Sequence, residues 1–162
     1  MAQAFAGLEF EQVVHKYSST VVSVCVMRLK NFSDAEDCFQ NTFVKLYTKS
    51  PQFANETYLK AWLIRVAINE CNNYIKKNKR TIPLETEKEA PVHFSDDEND
   101  ISWALMELPA KYRQTLYLYY VEQYKVDEIA EILGKNPNTI KTILKRGREK
   151  LKMIYGGDIY ER

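Results

Sequence analysis

Residues 81–100, TIPLETEKEAPVHFSDDEND, constrain the fold of this chain most strongly, because they interrupt it. The segment carries two prolines and seven acidic residues, and its few apolar residues follow neither a helical nor a strand period. A stretch of this composition does not bury enough apolar surface to fold by itself. We therefore expect the 162 residues to form two small modules, 5–80 and 102–155, joined by an acidic flexible linker over 81–101.

In the N-terminal module, apolar residues recur at intervals of three and four, which predicts helices. The expected helices span about 10–30, 31–50 and 57–77, and Ser33 or Asp34 should cap the second of them. The β-branched residues of the first helix would also suit a strand, but their spacing favours a helix. The expected core residues are Phe10, Val13, Val14, Tyr17, Val21, Val24, Cys25, Leu29, Phe39, Phe43, Leu46, Tyr47, Leu59, Trp62, Leu63, Val66, Ala67, Tyr74 and Ile75. The predicted fold class is all-α.

The C-terminal module contains the pattern of a helix-turn-helix. Two other helices are expected before it, within 101–109 and 110–123. Gly134 suits the left-handed backbone that ends a helix, while Asn136 and Pro137 suit the cap and first position of the next. The apolar faces of these last two helices comprise Val126, Ile129, Ala130 and Leu133, and then Ile140, Leu144, Gly147 and Leu151.

The opposite face of the last helix is basic, because seven bases and only one acid lie between Lys135 and Lys152. A second basic cluster, KKNKR, spans 76–80. The second helix of a helix-turn-helix lies in the DNA major groove, so we expect this face to bind DNA. Its candidate contact residues are Asn138, Thr139, Lys141, Thr142, Lys145, Arg146 and Arg148. A helical hairpin with a solvated basic surface is the alternative interpretation.

Two further residues of the last helix could either pack in the protein core or lie at the DNA-binding face. Ile143 flanks the exposed face and could touch a thymine methyl group, but we interpret it as a core residue. Gly147 lies inside the helix, where glycine costs about 1 kcal/mol relative to alanine. Close packing against another element would account for that glycine.

Several function classes receive no support from the sequence. Cys25, Cys38 and Cys71 are odd in number and widely spaced, so we expect reduced thiols of a cytoplasmic protein rather than a disulfide or metal site. The chain has no apolar run of the roughly 18 residues that span a membrane, and its start lacks the order of a signal peptide. We find no HExxH, GxxxxGK[ST] or GxSxG motif, and we expect neither enzymatic activity nor a cofactor.

Three stretches of the chain, in this order, resemble conserved regions of bacterial sigma factors. DAEDCFQNTFVKLY (34–47) is similar to the helix that opens their core-polymerase-binding region, and AWLIRVAINECNNYIKKNKR (61–80) to the promoter-melting helix that follows. Residues 108–152 resemble their fourth conserved region. The short two-module plan resembles the extracytoplasmic-function group of the sigma-70 family, so 5–80 would be a region 2-like domain and 102–155 a region 4-like domain.

The resemblance implies roles for individual residues. Polymerase contacts would come from Asp34, Glu36, Asp37, Gln40 and Asn41. Contacts to the minus-ten element and the melted strand would come from Asn55, Glu56, Lys60, Arg65, Asn69, Asn73, Lys76 and Lys77. The candidate residues of the last helix would read the minus-thirty-five element. Phe53 and Trp62 could stack on bases, but we interpret both as core residues, and the acids near residue 34 could simply stabilise a helix N-terminus.

The implied function is that of a dissociable sigma subunit. It would bind core RNA polymerase through the clamp helices of the largest subunit and through the flap, recognise promoter DNA, and be regulated by an anti-sigma factor. We expect no membrane insertion. The alternative is a stand-alone helix-turn-helix regulator that binds duplex DNA tightly without polymerase, usually as a symmetric dimer.

Overall fold

A computed structural model describes residues 3–78 and 101–155 of the chain. Residues 3–78 belong to one compact unit and residues 101–155 to another, and both units are built mainly of helices. The all-α prediction is therefore confirmed. The predicted flexible linker lies outside the described residues except for Ile101, and the domain bounds drawn from the sequence remain a prediction.

The N-terminal unit consists of three helices that all pack against one another. Helix α1 spans Phe10–Leu29, α2 spans Phe32–Lys49 and α3 spans Glu56–Lys77. The connection between α1 and α2 is only two residues long, because Lys30 adopts a left-handed φ of 60° that ends α1 and Asn31 then caps α2. The three predicted helices are confirmed.

A small hairpin that the sequence analysis did not predict precedes α1. Strand β1 (Ala4–Phe5) pairs antiparallel with β2 (Leu8–Glu9). The two turn residues, Ala6 and Gly7, both have positive φ, 51° and 84°, as the common two-residue hairpin turn requires. The hairpin brings Phe5 into the core, where it is completely buried. Strands of two residues are too short to leave a recognisable alternation in the sequence.

The predicted cap of α2 was two to three residues too late. The side-chain oxygen of Asn31 accepts a hydrogen bond from the backbone N–H of Asp34 at 3.0 Å, so Asn31 is the N-cap and Ser33 and Asp34 lie inside the first turn. Both asparagine and serine are favoured caps, and the earlier one is used here because the chain has only two residues in which to leave α1.

The expected core of this unit is confirmed at ten of its nineteen residues, and part of the buried stripe of α3 was missed. The expected residues that are buried are Val13, Tyr17, Val21, Val24, Cys25, Phe43, Leu46, Leu59, Leu63 and Ala67. Those that are only half-buried are Phe10, Val14, Leu29, Phe39, Trp62, Val66, Tyr74 and Ile75. Ile64, Ile68 and Cys71 are buried in addition. Because α3 contacts both α1 and α2, it needs a wider apolar stripe than a helix with one neighbour.

The C-terminal unit is also helical, and one of its predicted helices changes type midway. Its elements in order are α4 (Ser102–Leu105), α5 (Ala110–Leu116), a π-helical turn (Tyr117–Val121), α6 (Val126–Leu133) and α7 (Pro137–Tyr155). A single helix was expected over 110–123. The π turn that replaces its second half is closed by a bond from the Glu122 N–H to the Tyr117 carbonyl, over 3.2 Å.

The predicted turn between α6 and α7 is confirmed. Gly134 has a φ of 64° at the end of α6. The side-chain oxygen of Asn136 accepts a hydrogen bond from the Asn138 N–H at 2.8 Å, and Pro137 is the first residue of α7. The predicted buried residues are confirmed at Ile129, Ala130, Ile140, Leu144, Gly147 and Leu151, whereas Val126 and Leu133 are half-buried and Ile132 is buried instead. Ile143 is a core residue, as interpreted.

Gly147 lies where α7 packs tightly against Leu116 of α5. A Cβ atom added at Gly147 would lie 2.5 Å from Cδ1 of Leu116 and 3.3 Å from its Cδ2. Leu116 is completely buried, so its side chain has little room to retreat. The interpretation of Gly147 as a close-packing position is confirmed.

We expect Gly147→Ala to lower the free energy of unfolding by about 1 kcal/mol, because overpacking costs about 1–3 kcal/mol and outweighs the gain of about 1 kcal/mol in helix propensity. Urea unfolding of the full chain, followed by circular dichroism, measures the change. In a Leu116→Val background the same substitution should cost less, since the smaller side chain leaves space. A stability gain from Gly147→Ala in the native background would contradict the packing argument.

Gln123 offers a second test, because it is an exposed residue with a left-handed φ of 60° just before α6. A left-handed backbone costs an L-residue about 1–2 kcal/mol, and glycine escapes that cost but loses more entropy on folding. We therefore expect Gln123→Gly to raise the free energy of unfolding by about 0.5–1 kcal/mol. Gln123→Ala is the control and should not stabilise, since alanine keeps the Cβ atom. Equal effects of the two substitutions would contradict this expectation.

Candidate nucleic-acid and protein interfaces

The outer face of α7 carries the candidate DNA-contact residues of the C-terminal unit. Six of the seven are exposed, namely Asn138, Thr139, Lys141, Thr142, Lys145 and Arg146. Their exposure follows from the burial of Ile140, Ile143 and Leu144 on the opposite side of the helix. Amide, hydroxyl and cationic side chains on one helix face can bond to base edges and phosphates in a major groove.

The hydroxyl of Thr142 is already engaged by the helix backbone. It donates a hydrogen bond to the carbonyl oxygen of Asn138 at 3.0 Å. Its oxygen can still accept a bond, and its methyl group is directed by the same interaction. Thr142 can therefore meet a base as an acceptor or through an apolar contact with a thymine methyl, but not as a donor.

Arg148 is the exception among the seven, because it is half-buried and bonded within the unit. One of its terminal nitrogens, Nη1, donates a hydrogen bond to the hydroxyl of Tyr120 at 2.9 Å. Tyr120 belongs to the π turn and is buried. Nearby, the Nζ atoms of Lys111 and Lys150 lie 5.2 Å and 5.4 Å from the ring centre of Tyr112, within range of a cation–π interaction.

The start of α3 contains two of the candidate residues for the minus-ten element, Asn55 and Glu56. Asn55 is exposed and caps α3, since its side-chain oxygen accepts a bond from the Tyr58 N–H at 3.3 Å. Glu56 accepts hydrogen bonds from Nζ of Lys16 at 2.6 Å and from the hydroxyl of Tyr17 at 2.7 Å. These bonds, with Lys16 as the larger influence, hold the pKa of the Glu56 carboxyl below its usual value.

Further along α3, five candidate residues form an exposed polar row. They recur at intervals of mainly four residues and comprise Arg65, Asn69, Asn73, Lys76 and Lys77. Lys60, five residues before the row, is half-buried. A row of amides between cations can track a nucleic-acid strand, because amides bond to bases while cations meet phosphates.

The candidate polymerase-contact residues lie on one side of α2. Glu36, Asp37, Gln40 and Asn41 are exposed, while Asp34 is half-buried. The Asp34 carboxylate is the main cause that raises the pKa of Tyr74 to about 12. The Asp34 side chain therefore lies near α3 as well as on α2.

The folding of α2 against α3 brings the two candidate sets of this unit together. Asp37, Gln40 and Asn41 from α2 and Asn73 and Lys77 from α3 line one open polar cavity of about 520 Å³. The sequence placed these residues in separate motifs more than 30 positions apart. A protein bound to α2 and a nucleic-acid strand bound to α3 would therefore meet along this groove.

The sequence analysis missed an apolar surface on the other side of α2. Tyr47 was expected in the core, but it is 55% exposed, and Val44 is 57% exposed. Together with neighbouring residues they form an open groove of about 520 Å³, lined by Phe10, Val14, Phe39, Gln40, Phe43, Val44 and Tyr47. An exposed apolar patch of this kind is typical of a protein-interaction surface. The only signal in the sequence was that α2 has more apolar residues than one buried stripe requires.

Three thiols meet in the core of the N-terminal unit. Cys25, Cys38 and Cys71 come from α1, α2 and α3 and are all buried. The neighbouring Cys71 and then burial raise the pKa of the Cys38 thiol. The neighbouring Cys25 and then burial raise the pKa of the Cys71 thiol, against an opposite influence of Cys38. Buried thiols of raised pKa are chemically inert compared with exposed ones.

Residues 3–78 and 101–155 hold neither a candidate metal centre nor a candidate membrane span. No group of three or more His, Cys, Asp or Glu side chains is arranged to hold a metal ion there. Within the same residues, no helix combines the length and the apolar character that crossing a bilayer requires.

Both units match known protein families. Residues 13–81 match the family described as Sigma-70 region 2, and residues 99–151 match the family described as Sigma-70, region 4. The ECF RNA polymerase sigma factor SigW of Bacillus subtilis (strain 168) is 29% identical, over 88% of this chain and 87% of SigW. RNA polymerase sigma factor SigV of the same organism is 30% identical, over 77% of this chain and 78% of SigV.

Two solved structures resemble the fold of this chain over most of its length. The sigma factor RpoE from Bartonella quintana, crystallised with the anti-sigma factor NepR, superposes with a TM-score of 0.74 and 25% identity, covering 92% of this chain and 98% of RpoE. CnrH, solved in complex with the cytosolic domain of CnrY, has a TM-score of 0.60 and 18% identity, covering 92% of this chain and 88% of CnrH. At that identity the second likeness concerns the fold alone.

The bonds of Glu56 predict a pH dependence of stability. Because its folded-state pKa is depressed, the stabilisation is present above the unfolded-state pKa, near 4.5, and is lost as the pH falls through the folded value. The urea midpoint of the native chain should therefore fall more steeply between pH 6 and pH 3 than that of Glu56→Gln.

Glu36→Gln is the matched control for this measurement, because it removes an exposed acid from α2 and leaves the Lys16–Glu56 pair intact. This control should keep the steeper fall of the native chain, because it retains the Lys16–Glu56 pair. If Glu56→Gln followed the native profile as closely as the control does, the ion pair would not contribute to stability.

Proposed function

This chain belongs to the sigma-70 family of RNA polymerase sigma factors, in its extracytoplasmic-function group, and on that premise we propose how its two units share promoter recognition. Its function is that of a sigma factor, which directs promoter-specific initiation of transcription. In our proposal the C-terminal unit reads the minus-thirty-five element with α7. The N-terminal unit holds the minus-ten element and the melted strand with α3 and binds core polymerase with α2.

The observation that carries the proposal is the exposed face of α7 behind a correctly formed helix-turn-helix. The glycine turn and the Asn136 cap direct the N-terminus of α7 outward, and the apolar contacts of the opposite face hold it. Asn138, Lys141, Thr142 and Lys145 are then nearest to the base edges, and Arg146 and Arg148 are nearest to phosphates. The bonding of Thr142 supports readout as an acceptor.

For the minus-ten element, we propose that the polar row of α3 makes more of the contacts than the start of that helix does. The carboxylate of Glu56 is held by Lys16 and Tyr17, and the oxygen of Asn55 is used as a cap. Asn55 keeps its amide donors for a base, and Glu56 would act mainly by fixing the loop before α3. The row from Arg65 to Lys77 is exposed and carries three cations, which suits contacts along an opened strand.

For core polymerase, we propose that α2 docks on the clamp helices of the largest subunit through Asp34, Glu36, Asp37, Gln40 and Asn41, and that the C-terminal unit contacts the flap. The exposure of four of these residues supports docking. The sigma factor would itself catalyse no reaction, since polymerase carries the catalytic site, and it would act in the cytoplasm.

We further propose that an anti-sigma factor regulates this protein. RpoE, which the chain resembles over nearly all its length, was crystallised with such a partner. The exposed apolar groove between α1 and α2 gives a protein partner a surface to cover. Binding there would compete with polymerase, because Gln40 belongs both to the groove and to the proposed polymerase-contact set.

The test is transcription in vitro from the DNA upstream of the protein's own gene, using purified bacterial core polymerase with and without the full chain. We expect defined transcripts only when the chain is present. Lys141→Gln/Lys145→Gln should reduce them at least about 10-fold, because each base or phosphate contact contributes about 1–3 kcal/mol. Lys49→Gln/Lys125→Gln removes the same charge from other surfaces and should have little effect.

The outcome also distinguishes the alternative function. If no transcript depended on the chain, but the chain alone bound the same duplex tightly and specifically, the stand-alone regulator would replace the sigma-factor proposal. If both double variants reduced transcription equally, net charge rather than readout by α7 would explain the effect.

A further inference from the structure

The π turn carries a buried tyrosine whose hydroxyl faces the DNA-binding helix. Tyr120 is only 5% exposed, and its hydroxyl accepts the hydrogen bond from Nη1 of Arg148 at 2.9 Å. A tyrosine hydroxyl that is buried needs a polar partner, and a cation at the edge of the exposed face of α7 supplies one here. The pair therefore connects the core of the C-terminal unit to its basic surface.

Two features of the backbone bring these residues together. Gly147 lets α7 approach α5 at Leu116, and Arg148 follows Gly147 directly. Tyr120 lies four residues after Leu116, within the π turn closed by the Glu122–Tyr117 bond. A π turn changes the direction in which the following side chains point, and such turns recur at functional sites. The close contact and the wide turn together direct the Tyr120 hydroxyl at α7.

The bond to Tyr120 occupies only part of the hydrogen-bonding capacity of Arg148. A guanidinium has five N–H donors in a planar fork and always carries its charge, and Tyr120 takes one of these donors. A flexible arginine loses considerable side-chain entropy when it is fixed on a phosphate. An arginine that is already held by a neighbouring hydroxyl loses less of it on binding.

We propose that Tyr120 is a positioning residue for promoter binding: its hydroxyl holds Arg148 so that the remaining guanidinium donors meet a DNA phosphate beside the face of α7. The proposal rests on the proposed function, in that α7 must lie against DNA. It adds a residue that makes no DNA contact and acts through Arg148.

The experiment is a double-mutant cycle on the holoenzyme formed from core polymerase and the full chain. Binding to the fluorescently labelled promoter duplex that supports transcription is measured over a range of salt concentrations for the native chain, Tyr120→Phe, Arg148→Gln and the double variant. Tyr112→Phe is the matched control, because it also removes a tyrosine hydroxyl but keeps the ring beneath Lys150. Urea unfolding of each variant reports its stability.

We expect Tyr120→Phe to weaken promoter binding about 3- to 10-fold, while Arg148→Gln weakens it further and reduces the salt-dependence slope by about 1, the value for one phosphate contact. In the Arg148→Gln background, loss of the Tyr120 hydroxyl should weaken promoter binding less than it does in the native background, since the proposed role acts through the arginine. Tyr112→Phe should bind as the native chain does.

Two results would overturn the inference. One is native promoter affinity for Tyr120→Phe. The other is a loss of stability in both single variants with an unchanged salt slope, which would make the pair a purely structural bond. If Tyr120→Phe does not fold, Arg148→Lys tests the same point, because a lysine keeps the charge but lacks the fork. Native affinity for that variant would also overturn the proposal.

Failure of the inference can be separated from failure of the proposed function. Lys141→Gln/Lys145→Gln alters the face of α7 without touching the Tyr120–Arg148 pair. If that variant loses promoter binding and the Tyr120 and Arg148 variants do not, only the positioning role is wrong. If none of them changes binding, the assignment of α7 to promoter DNA is wrong as well.

Discussion

Burial of the apolar helix stripes is the constraint on which both units depend, because a helix that buries one side must present the other side to solvent. On α7, the burial of Ile140, Leu144 and Leu151 leaves the basic residues outside. On α2, the burial of Cys38, Phe43 and Leu46 leaves the acids and amides of the first half exposed. The functional faces therefore follow from packing, and Gly147 sets how closely the last helix can pack.

Several polar residues that resemble contact residues of the family are also used by the fold itself. Asn55 caps α3, Glu56 pairs with Lys16 and Tyr17, and Arg148 bonds to Tyr120. These bonds do not remove the residues from function, but they change what each can do. A capped amide keeps its donors and a held arginine keeps most of its fork, whereas a carboxylate with two donors is largely satisfied.

The local features of the fold could be predicted from the sequence. The glycine turn, the Asn136 cap and the first position of Pro137 were all recognised, because each depends on interactions within a few residues. The predictions that were wrong depend either on a choice between two suitable local conformations or caps, or on which helices pack together. Asn31 rather than Ser33 caps α2, the second half of the expected helix over 110–123 is a π turn, and Tyr47 is exposed.

The sequence by itself determined the division into two helical units, the helix-turn-helix and the residues on the outer face of α7, since hydrophobic period and capping are local properties of the chain. Only the tertiary structure decided that the buried stripe of α3 extends to Ile64, Ile68 and Cys71, that α2 carries an apolar groove, and that Cys25, Cys38 and Cys71 meet. It also decided that Tyr120 holds Arg148. These outcomes depend on which helices become neighbours, and that choice is made by the packing of residues far apart in the chain.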